Sequence, residues 1–384
     1  MIARSLFRHT AFALGVAAST LSGAAQSATP AKNVIIFMGD GTGLSSLNAA
    51  SIYGYNKPQS LFIQSLPGLA LSDTSTATQW VTDGGAGATA IATGVKTNNG
   101  ILSQSAAAIK DQKDGEILKT FFEYAREHGL STGAVSNDDR QGVTNALTAA
   151  FFAHNNNRGK SGEIFEEMLA PKSGLPGLDV AISPGRPEVF EQVKAMGRDP
   201  LADIKAHGYV FADSITALKK IDQSRTRGIM LTDDLQMDLK TGVDDAIARL
   251  SRNPKGFVLV VFSDCHTGKA RTSLSRIVEM DNIMREVAAG RKQDTLLLWT
   301  ADHSYDLRIK GEGLTETLKK NEGKKITSAV SLEDEHTAEE VPVMAIGPGS
   351  ERVHGFISNT DVFHILMQAP GWEQATAAVA GGTR

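Results

Sequence analysis

The sequence repeats one pattern, in which a short apolar run ends in a loop rich in Gly, Asp or Ser and a segment with helical spacing follows. This alternation predicts an α/β protein with a mainly parallel central sheet and helices on both faces. The predicted strands are Val34–Phe37, Leu69–Leu71, Thr132–Val135, Phe257–Val261, Thr295–Trp299 and Val341–Ile346. The clearest predicted helices are Glu116–His128, Asp244–Leu250 and Leu274–Val287. Sheets of this kind bind ligands at the carboxyl ends of their strands.

The composition limits the classes to which the chain can belong. Its 384 residues are 41% hydrophobic and 21% charged, which excludes disorder, collagen and coiled coil. Lys and Arg total 39 against 43 Asp and Glu, so no nucleic acid is expected as a dedicated partner. We predict one domain over residues 29–384, in which residues 172–230, richer in Gly, Pro and charge, form an extension packed on the main domain.

The amino terminus has the three regions of a secretory signal peptide. Arg4 and Arg8 precede an apolar run at Ala11–Ala18, and small residues continue to Ala28. We therefore predict a signal peptide over residues 1–28 and a periplasmic or secreted protein. No later stretch has the length that a membrane span needs. Cys265 is the only cysteine, so an intramolecular disulfide is not expected.

Carboxylate and imidazole side chains follow three of the predicted strands, and another histidine precedes the last strand. The set is Asp40, Asp264, His266, Asp302, His303 and His336. These two ligand types suit zinc or a similar divalent ion. A pair of such ions can hold both the attacking and the leaving oxygen of a phosphoryl transfer. We therefore take the set as a candidate metal centre.

Each member of this set also has an ordinary structural explanation. Asp40 could cap the helix that follows it, and Asp302–His303 could form a turn with a hydrogen-bonded imidazole. Cys265 and His266 are not expected to form a nucleophilic dyad, because adjacent loop residues rarely face one another. The remaining histidines of the mature chain are assigned to the surface, to helix ends or to the core. They are His128, His154, His207, His354 and His364.

Several segments resemble the alkaline phosphatase family and occur in that family's order. They are 33–43 (NVIIFMGDGTG), 81–100 (VTDGGAGATAIATGVKTNNG), 151–158 (FFAHNNNR), 253–261 (NPKGFVLVV), 300–303 (TADH) and 336–349 (HTAEEVPVMAIGPG). The resemblance implies an alkaline phosphatase-like fold, two zinc ions and hydrolysis of a small phosphorylated or similar anionic substrate. A homodimer is also implied, because dimers are common among the relatives.

The resemblance also implies a set of metal ligands. The ligands of one zinc correspond to Asp40, Asp302 and His303. His336 corresponds to a ligand of the second zinc. The loop after Val261 is shorter than in the family, and His266 falls where the family has a histidine ligand. Asp264 is a candidate substitute ligand on chemical grounds alone.

Arg158 matches the family pattern, and three other positions depart from it. Arg158 corresponds to the arginine that holds phosphate oxygens, and Asp83 is placed to orient it through a salt bridge. Gly84 stands where the family has its serine or threonine nucleophile. Leu147 and Phe262 stand where the family's magnesium site needs threonine and glutamate. Apolar side chains cannot coordinate this cation, so the magnesium site is expected to be lost.

Without a hydroxyl at Gly84, three functions remain open. In the first, metal-bound hydroxide attacks a phosphate monoester held by Arg158, with no phosphoenzyme and no transfer to alcohols. In the second, Thr82 or Thr42 supplies a replacement hydroxyl. In the third, the chain is a non-catalytic protein that binds an anion and metal. Hydrolysis of a sulfate, phosphonate or phosphodiester is a variant of the first.

Overall fold

The computed structural model describes residues 29–222, 227–266, 270–310, 330–331 and 335–373. The predicted signal peptide, residues 1–28, lies outside the described residues. The strands are β1 (Asn33–Asp40), β2 (Gly68–Asp73), β3 (Ser131–Ser136), β4 (Val180–Ser183), β5 (Val210–Ala212), β6 (Gly228–Leu231), β7 (Phe257–Asp264), β8 (Thr295–Thr300), β9 (Ser304–Tyr305), β10 (Arg308–Ile309), β11 (Val330–Ser331), β12 (His336–Thr337), β13 (Val341–Ile346) and β14 (His354–Ser358).

The helices connect these strands and lie against the sheet that they form. They are α1 (Leu44–Tyr55), α2 (Gly84–Thr93), α3 (Phe121–Glu127), α4 (Ala146–Ala149), α5 (Ser161–Leu169), α6 (Arg186–Ala195), α7 (Pro200–Ala206), α8 (Ile215–Lys220), α9 (Leu239–Leu250), α10 (Ala270–Arg291) and α11 (Asn359–Gln368). Within the described ranges, no helix combines the length and the apolarity that crossing a membrane requires.

A sheet of ten strands runs through the structure in the order β14-β2-β13-β8-β1-β7-β3-β4-β6-β5. Strand β13 is antiparallel to both of its neighbours, and every other adjacent pair in this order is parallel. All the strands predicted from apolar runs belong to this sheet. The predicted fold class, a mainly parallel α/β sheet, is therefore confirmed.

Apolar cores lie on both faces of the sheet. Successive side chains of a strand point to opposite faces, so Ile35 and Phe37 of β1 join one core while Val34 and Ile36 join the other. Helices α1, α9 and α10 cover the first face, and α2, α5, α6 and α11 cover the second. Because β1 is buried along its whole length, its carboxyl end is a rigid support for a site.

Residues 172–230 contribute directly to the central sheet. They carry β4, β5 and most of β6, which continue the sheet beyond β3. The extension predicted from composition is thus structurally part of the sheet's edge. Strands Val180–Ser183 and Gly228–Leu231 are only four residues long. The residues around them are rich in Gly, Pro and charge, so the apolar pattern was too short to predict a strand.

The predicted helix Glu116–His128 begins later in the structure, at Phe121. Thr120 caps it, because its side chain accepts from the backbone N–H of Glu123 while the Glu123 carboxylate accepts from the N–H of Thr120. This reciprocal capping box starts a helix at the residue after the threonine. The prediction was therefore wrong for residues 116–120, where the capping motif outweighs the apolar periodicity.

Candidate active site

The site lies where three adjacent parallel strands end. Strand β1 lies between β7 and β8, and Asp40 at its end is paired in register with Asp264 at the end of β7. Asp302 and His303 follow the end of β8 directly. Because parallel neighbours end at the same edge of the sheet, these residues from distant parts of the chain meet at one place.

The first group at this edge is Asp40, Asp302 and His303, all of which are buried. The Nε2 atom of His303 is 3.3 Å from Asp40 Oδ1 and 3.2 Å from Asp302 Oδ2. The other ring nitrogen, Nδ1, is 2.9 Å from the carbonyl oxygen of Ser304. Asp302 Oδ1 accepts the backbone N–H of Gly41 at 3.3 Å. Backbone groups thus contact the outer atoms, Nδ1 of His303 and Oδ1 of Asp302. The inner atoms, Nε2 of His303 and Oδ2 of Asp302, are left facing Asp40.

The inner atoms of this group have the features of a cation site. Asp40 Oδ1, Asp302 Oδ2, His303 Nε2 and His266 Nε2 are all buried and have no hydrogen-bond partner. Buried polar atoms in native proteins are nearly always satisfied, so this convergence favours a bound group that accepts electron pairs from these atoms. Carboxylate oxygens together with imidazole nitrogens are a donor set typical of zinc. The residues present therefore fit a bound zinc ion.

A second group of ligand type overlaps the first. The Nε2 atom of His266 is 3.1 Å from Asp40 Oδ1. The rings of His303 and His336 stack with their centroids 3.6 Å apart, and the centroids of His266 and His336 are 5.4 Å apart. His336 Nδ1 lies 3.0 Å from the carbonyl oxygen of Thr82. The three imidazoles present nitrogens close enough together to share an ion.

The electrostatics of the buried carboxylates also favour a bound cation. Burial, together with the negative charge of Asp40, raises the pKa of Asp302 to about 6. Burial would also raise the pKa of Asp40, but the nearby charges of His266, His303 and Arg158 outweigh burial and lower it. Two carboxylates in one dry site repel each other, and a divalent cation between them would remove that cost.

Arg158 and Gly84 lie beside this cluster. Asp83 caps helix α2, accepting the N–H of Ala86 at 3.0 Å, and its Oδ2 is 3.2 Å from Arg158 Nη1. A Cβ atom added to Gly84 would lie 2.9 Å from Asp302 Oδ2 and 3.2 Å from Arg158 Nη1. The position without a side chain therefore faces the space between a candidate metal ligand and the arginine.

Apolar side chains occupy the other side of this space. A Cβ atom on Gly84 would lie only 2.7 Å from Leu147 Cδ1. Leu147 and Phe262 are completely buried and belong to the same apolar core as Met38. A leucine at this distance leaves little room for a serine at position 84.

The two candidate replacement hydroxyls differ in their partners, because Thr42 Oγ1 makes no hydrogen bond and Thr82 Oγ1 makes one. Thr42 is completely buried, and its Oγ1 packs against Gly39, where it would lie 2.5 Å from an added Cβ atom. Thr82 donates its hydroxyl to the carbonyl oxygen of Asp83 at 2.9 Å.

The thiol of Cys265 is buried in the core, and burial raises its pKa to about 12. The ring of its neighbour His266 is turned toward Asp40.

Sequence reasoning missed some residues of the site. Arg276, on helix α10, donates to the carbonyl oxygen of Asp264 at 2.9 Å. Tyr305 packs its ring 4.9 Å from the ring of His266. An arginine in the middle of an amphipathic helix and a tyrosine in a short strand carry no local sequence signal. Their contacts depend on how α10 and β9 pack against the strand ends.

Comparison with known proteins gives matches over most of the chain. A family model described as "Alkaline phosphatase" matches residues 31–176, 211–329 and 310–371. Alkaline phosphatase 4 of Bacillus subtilis is 27% identical, with 88% of this chain and 88% of that protein covered. The alkaline phosphatase of Escherichia coli is also 27% identical, with 89% of this chain and 86% of that protein covered.

Solved structures agree with these matches. The alkaline phosphatase of the Antarctic bacterium TAB5 superposes with a TM-score of 0.72 and 25% identity, covering 90% of this chain and 100% of that one. The Thermus thermophilus alkaline phosphatase gives a TM-score of 0.75 at 21% identity, covering 94% of this chain and 96% of that one. The second likeness concerns the fold alone. Together with the family model, these matches confirm the resemblance seen in the sequence motifs.

Proposed function

This chain belongs to the alkaline phosphatase family of metal-dependent phosphoric ester hydrolases, and from that premise we propose that it hydrolyses phosphate monoesters in a single displacement by water. The observation that carries the proposal is the convergence of four buried ligand atoms that make no hydrogen bond, next to Gly84, which has no side chain. A centre of this kind serves catalysis even where a protein nucleophile is missing.

We assign the residues the following roles. Asp40, Asp302 and His303 would hold one zinc ion, and His266 and His336, with Asp264 beside them, would form a second site. Zinc, when bound, supplies Lewis acidity and lowers the pKa of water toward neutrality. Arg158 would bind two phosphate oxygens through its guanidinium fork, which Asp83 holds in place at 3.2 Å.

The surroundings of Gly84 support attack by water. Gly84 places no side chain between Asp302 Oδ2 and Arg158 Nη1, where the family places its nucleophile, so residue 84 itself supplies no attacking hydroxyl. The buried Leu147 and Phe262 fill with hydrocarbon the positions that correspond to magnesium ligands, so we propose that this site is lost. We further propose that residues 1–28 direct export and that the mature protein acts in the periplasm or outside the cell.

The single displacement predicts inversion of configuration at phosphorus. Hydrolysis of a phosphate monoester made chiral with oxygen isotopes should invert, because water attacks directly and no second displacement follows. Acid quenching during turnover should trap no covalent phosphate on the protein, and added alcohols should not accept the phosphoryl group. Mass spectrometry of the quenched protein and analysis of the chiral phosphate are the measurements.

The same assay tests the two threonine hydroxyls. Replacing Thr42 and Thr82 together by alanine should leave the inversion and the absence of phosphoenzyme unchanged. Retention of configuration in the unaltered protein, or a trapped phosphothreonine, would contradict the single displacement.

Arg158→Lys is expected to lower kcat/KM for a phosphate monoester by about 100-fold, a typical cost of losing one oriented donor to a developing negative charge. Lysine keeps the positive charge but cannot bind two oxygens in parallel or pair with Asp83 in the same geometry. Steady-state kinetics are measured beside Arg140→Lys, a control at an arginine whose side chain is 77% exposed. Equal kinetics in the two variants would remove Arg158 from the proposed phosphate site.

A further inference from the structure

The carboxylate of Asp264 is fully engaged by protein groups at the end of β7. Its Oδ1 is 2.8 Å from His266 Nδ1 and accepts the backbone N–H of His266 at 3.2 Å. Its Oδ2 is 3.3 Å from Nη1 of Arg276. Both oxygens therefore face donors outside the first group, whereas Asp40 Oδ1 and Asp302 Oδ2 make no hydrogen bond and lie 3.1–3.3 Å from the Nε2 atoms of His266 and His303.

Arg276 fastens this carboxylate to the scaffold. The Nη1 group also donates to the carbonyl oxygen of Asp264 at 2.9 Å, and Nη2 donates to the carbonyl oxygen of Asn137 at 3.4 Å. The Asn137 side chain in turn accepts the backbone N–H of Asp264 at 3.3 Å. The arginine side chain is only 16% exposed. Helix α10 thus ties together the loops that follow β7 and β3.

The contact with Asp264 determines the orientation of the His266 ring. With Nδ1 directed at Asp264, the ring turns its other nitrogen, Nε2, to within 3.1 Å of Asp40 Oδ1. That nitrogen is buried and has no hydrogen-bond partner. A carboxylate behind a ligating histidine fixes the ring orientation and the proton on the far nitrogen, and it makes the near nitrogen a better ligand.

We propose that Asp264 is a positioning residue, held by Arg276, that aims Nε2 of His266 at the metal centre and is not itself a metal ligand. The inference rests on the metal centre of the proposed function. It assigns the second ion a set of ligands drawn from the imidazoles of His266 and His336 and from the shared first group. Asp264 and Arg276 then act on metal affinity through His266 alone.

The test is a zinc titration of the metal-free mature protein against a competing chromophoric chelator, which counts the bound ions and measures each Kd. Asp264→Ala should weaken the weaker-bound ion by about 10–100-fold, the usual cost of losing such a carboxylate. Asp264→Asn should recover most of that loss, because its amide oxygen still accepts from Nδ1 of His266. Arg276→Met should shift the Kd in the same direction as Asp264→Ala.

The double variant Asp264→Ala with Arg276→Met completes the cycle. It should bind zinc clearly less weakly than the two single losses added together, because the arginine acts on His266 mainly through the Asp264 carboxylate. Arg271→Met, at an exposed arginine of the same helix, is the matched control and should titrate like the unaltered protein. Thermal unfolding of each metal-free variant verifies its folding, and Asp264→Asn with Arg276→Met suffices if the alanine variant does not fold.

Any of three results would overturn the inference. A loss of one whole bound ion in both Asp264→Asn and Asp264→Ala, with Arg276→Met unaffected, would make Asp264 a direct ligand. Unchanged affinity in every variant, or no zinc binding by the unaltered protein, would remove the positioning role. Because the titration does not use turnover, a protein that binds zinc as expected but hydrolyses no ester would refute the proposed function and leave this inference standing.

Discussion

Asp302→Ala is expected to lower kcat/KM for an activated phosphate monoester by about 1,000-fold or more. Metal-assisted stabilisation of the transition state is worth several kcal/mol, and each 1.4 kcal/mol is a factor of about ten in rate. Asp302 supplies a buried carboxylate oxygen 3.2 Å from His303 Nε2 and is one of the three ligand-type residues of the first group. Its loss should remove the ion that the first group would hold.

The measurement compares the zinc-loaded mature protein with Asp302→Ala prepared in parallel, and it counts bound zinc in both. Asp213→Ala, at an aspartate whose side chain is 59% exposed, is the control and should match the unaltered protein. Equal turnover in Asp302→Ala and the unaltered protein would place the hydrolysis outside this centre. No turnover in either, with zinc bound, would favour a non-catalytic protein that binds anions and metal.

The second large effect concerns stability and involves a histidine away from the metal centre. His154 is completely buried between two acids, with Nε2 3.4 Å from Glu123 Oε2 and Nδ1 3.5 Å from Glu167 Oε2. Nε2 also lies 3.1 Å from the carbonyl oxygen of Leu118. Burial alone would lower the pKa of His154, but hydrogen bonds and charges from the two acids outweigh burial and raise it to about 9. The buried triad is therefore held together by a protonated imidazole.

His154→Gln is expected to reduce the free energy of unfolding by about 3 kcal/mol at neutral pH, because it leaves the buried carboxylate of Glu123 without its cation, while Glu167 keeps Lys172 at 2.8 Å. In the unaltered protein, the pKa of His154 rises from 6.5 in the unfolded chain to about 9 on folding. Its stabilisation should therefore be fully present below pH 6.5 and should be lost as the pH rises through 9. The variant should lack this alkaline decline.

Urea unfolding between pH 6 and 10 measures both effects, with excess chelator present so that metal binding does not contribute. His354→Gln, at an exposed histidine, serves as the control and should keep both the stability and its alkaline decline. A His154→Gln variant as stable as the control at pH 7 would contradict a protonated triad. So would a variant that retains the same decline toward pH 9.

The central strands were predictable because each contains a fully buried run of apolar residues, 34–38 in β1 and 257–262 in β7. A strand that is buried on both faces consists mostly of apolar residues, so its composition alone is enough to predict it. The shorter strands in residues 172–230 were not predictable, because runs of three apolar residues occur equally well in loops and at helix ends. The start of α3 depends on the Thr120 capping box, a local signal that periodicity does not contain.

The meeting of the candidate ligands was predictable to a lesser degree. Asp40, Asp264 and Asp302 all lie at strand ends, and parallel strands bring such ends to one edge. The gap at Gly84 was visible from the motif in which it lies. The contact of Leu147 with the position of Gly84 could not be predicted from the sequence, because it depends on the packing of α4 against α2.

The sequence by itself determined the α/β fold, the residues available as ligands and the absence of a hydroxyl at Gly84, because residue type, periodicity and strand ends are local properties of the chain. Only the tertiary structure decided which nitrogen of His266 faces Asp40 and that both oxygens of Asp264 face His266 and Arg276. Those choices depend on the position of α10 relative to the ends of β7 and β3. Packing between distant segments sets that position, so the sequence of either segment alone does not predict it.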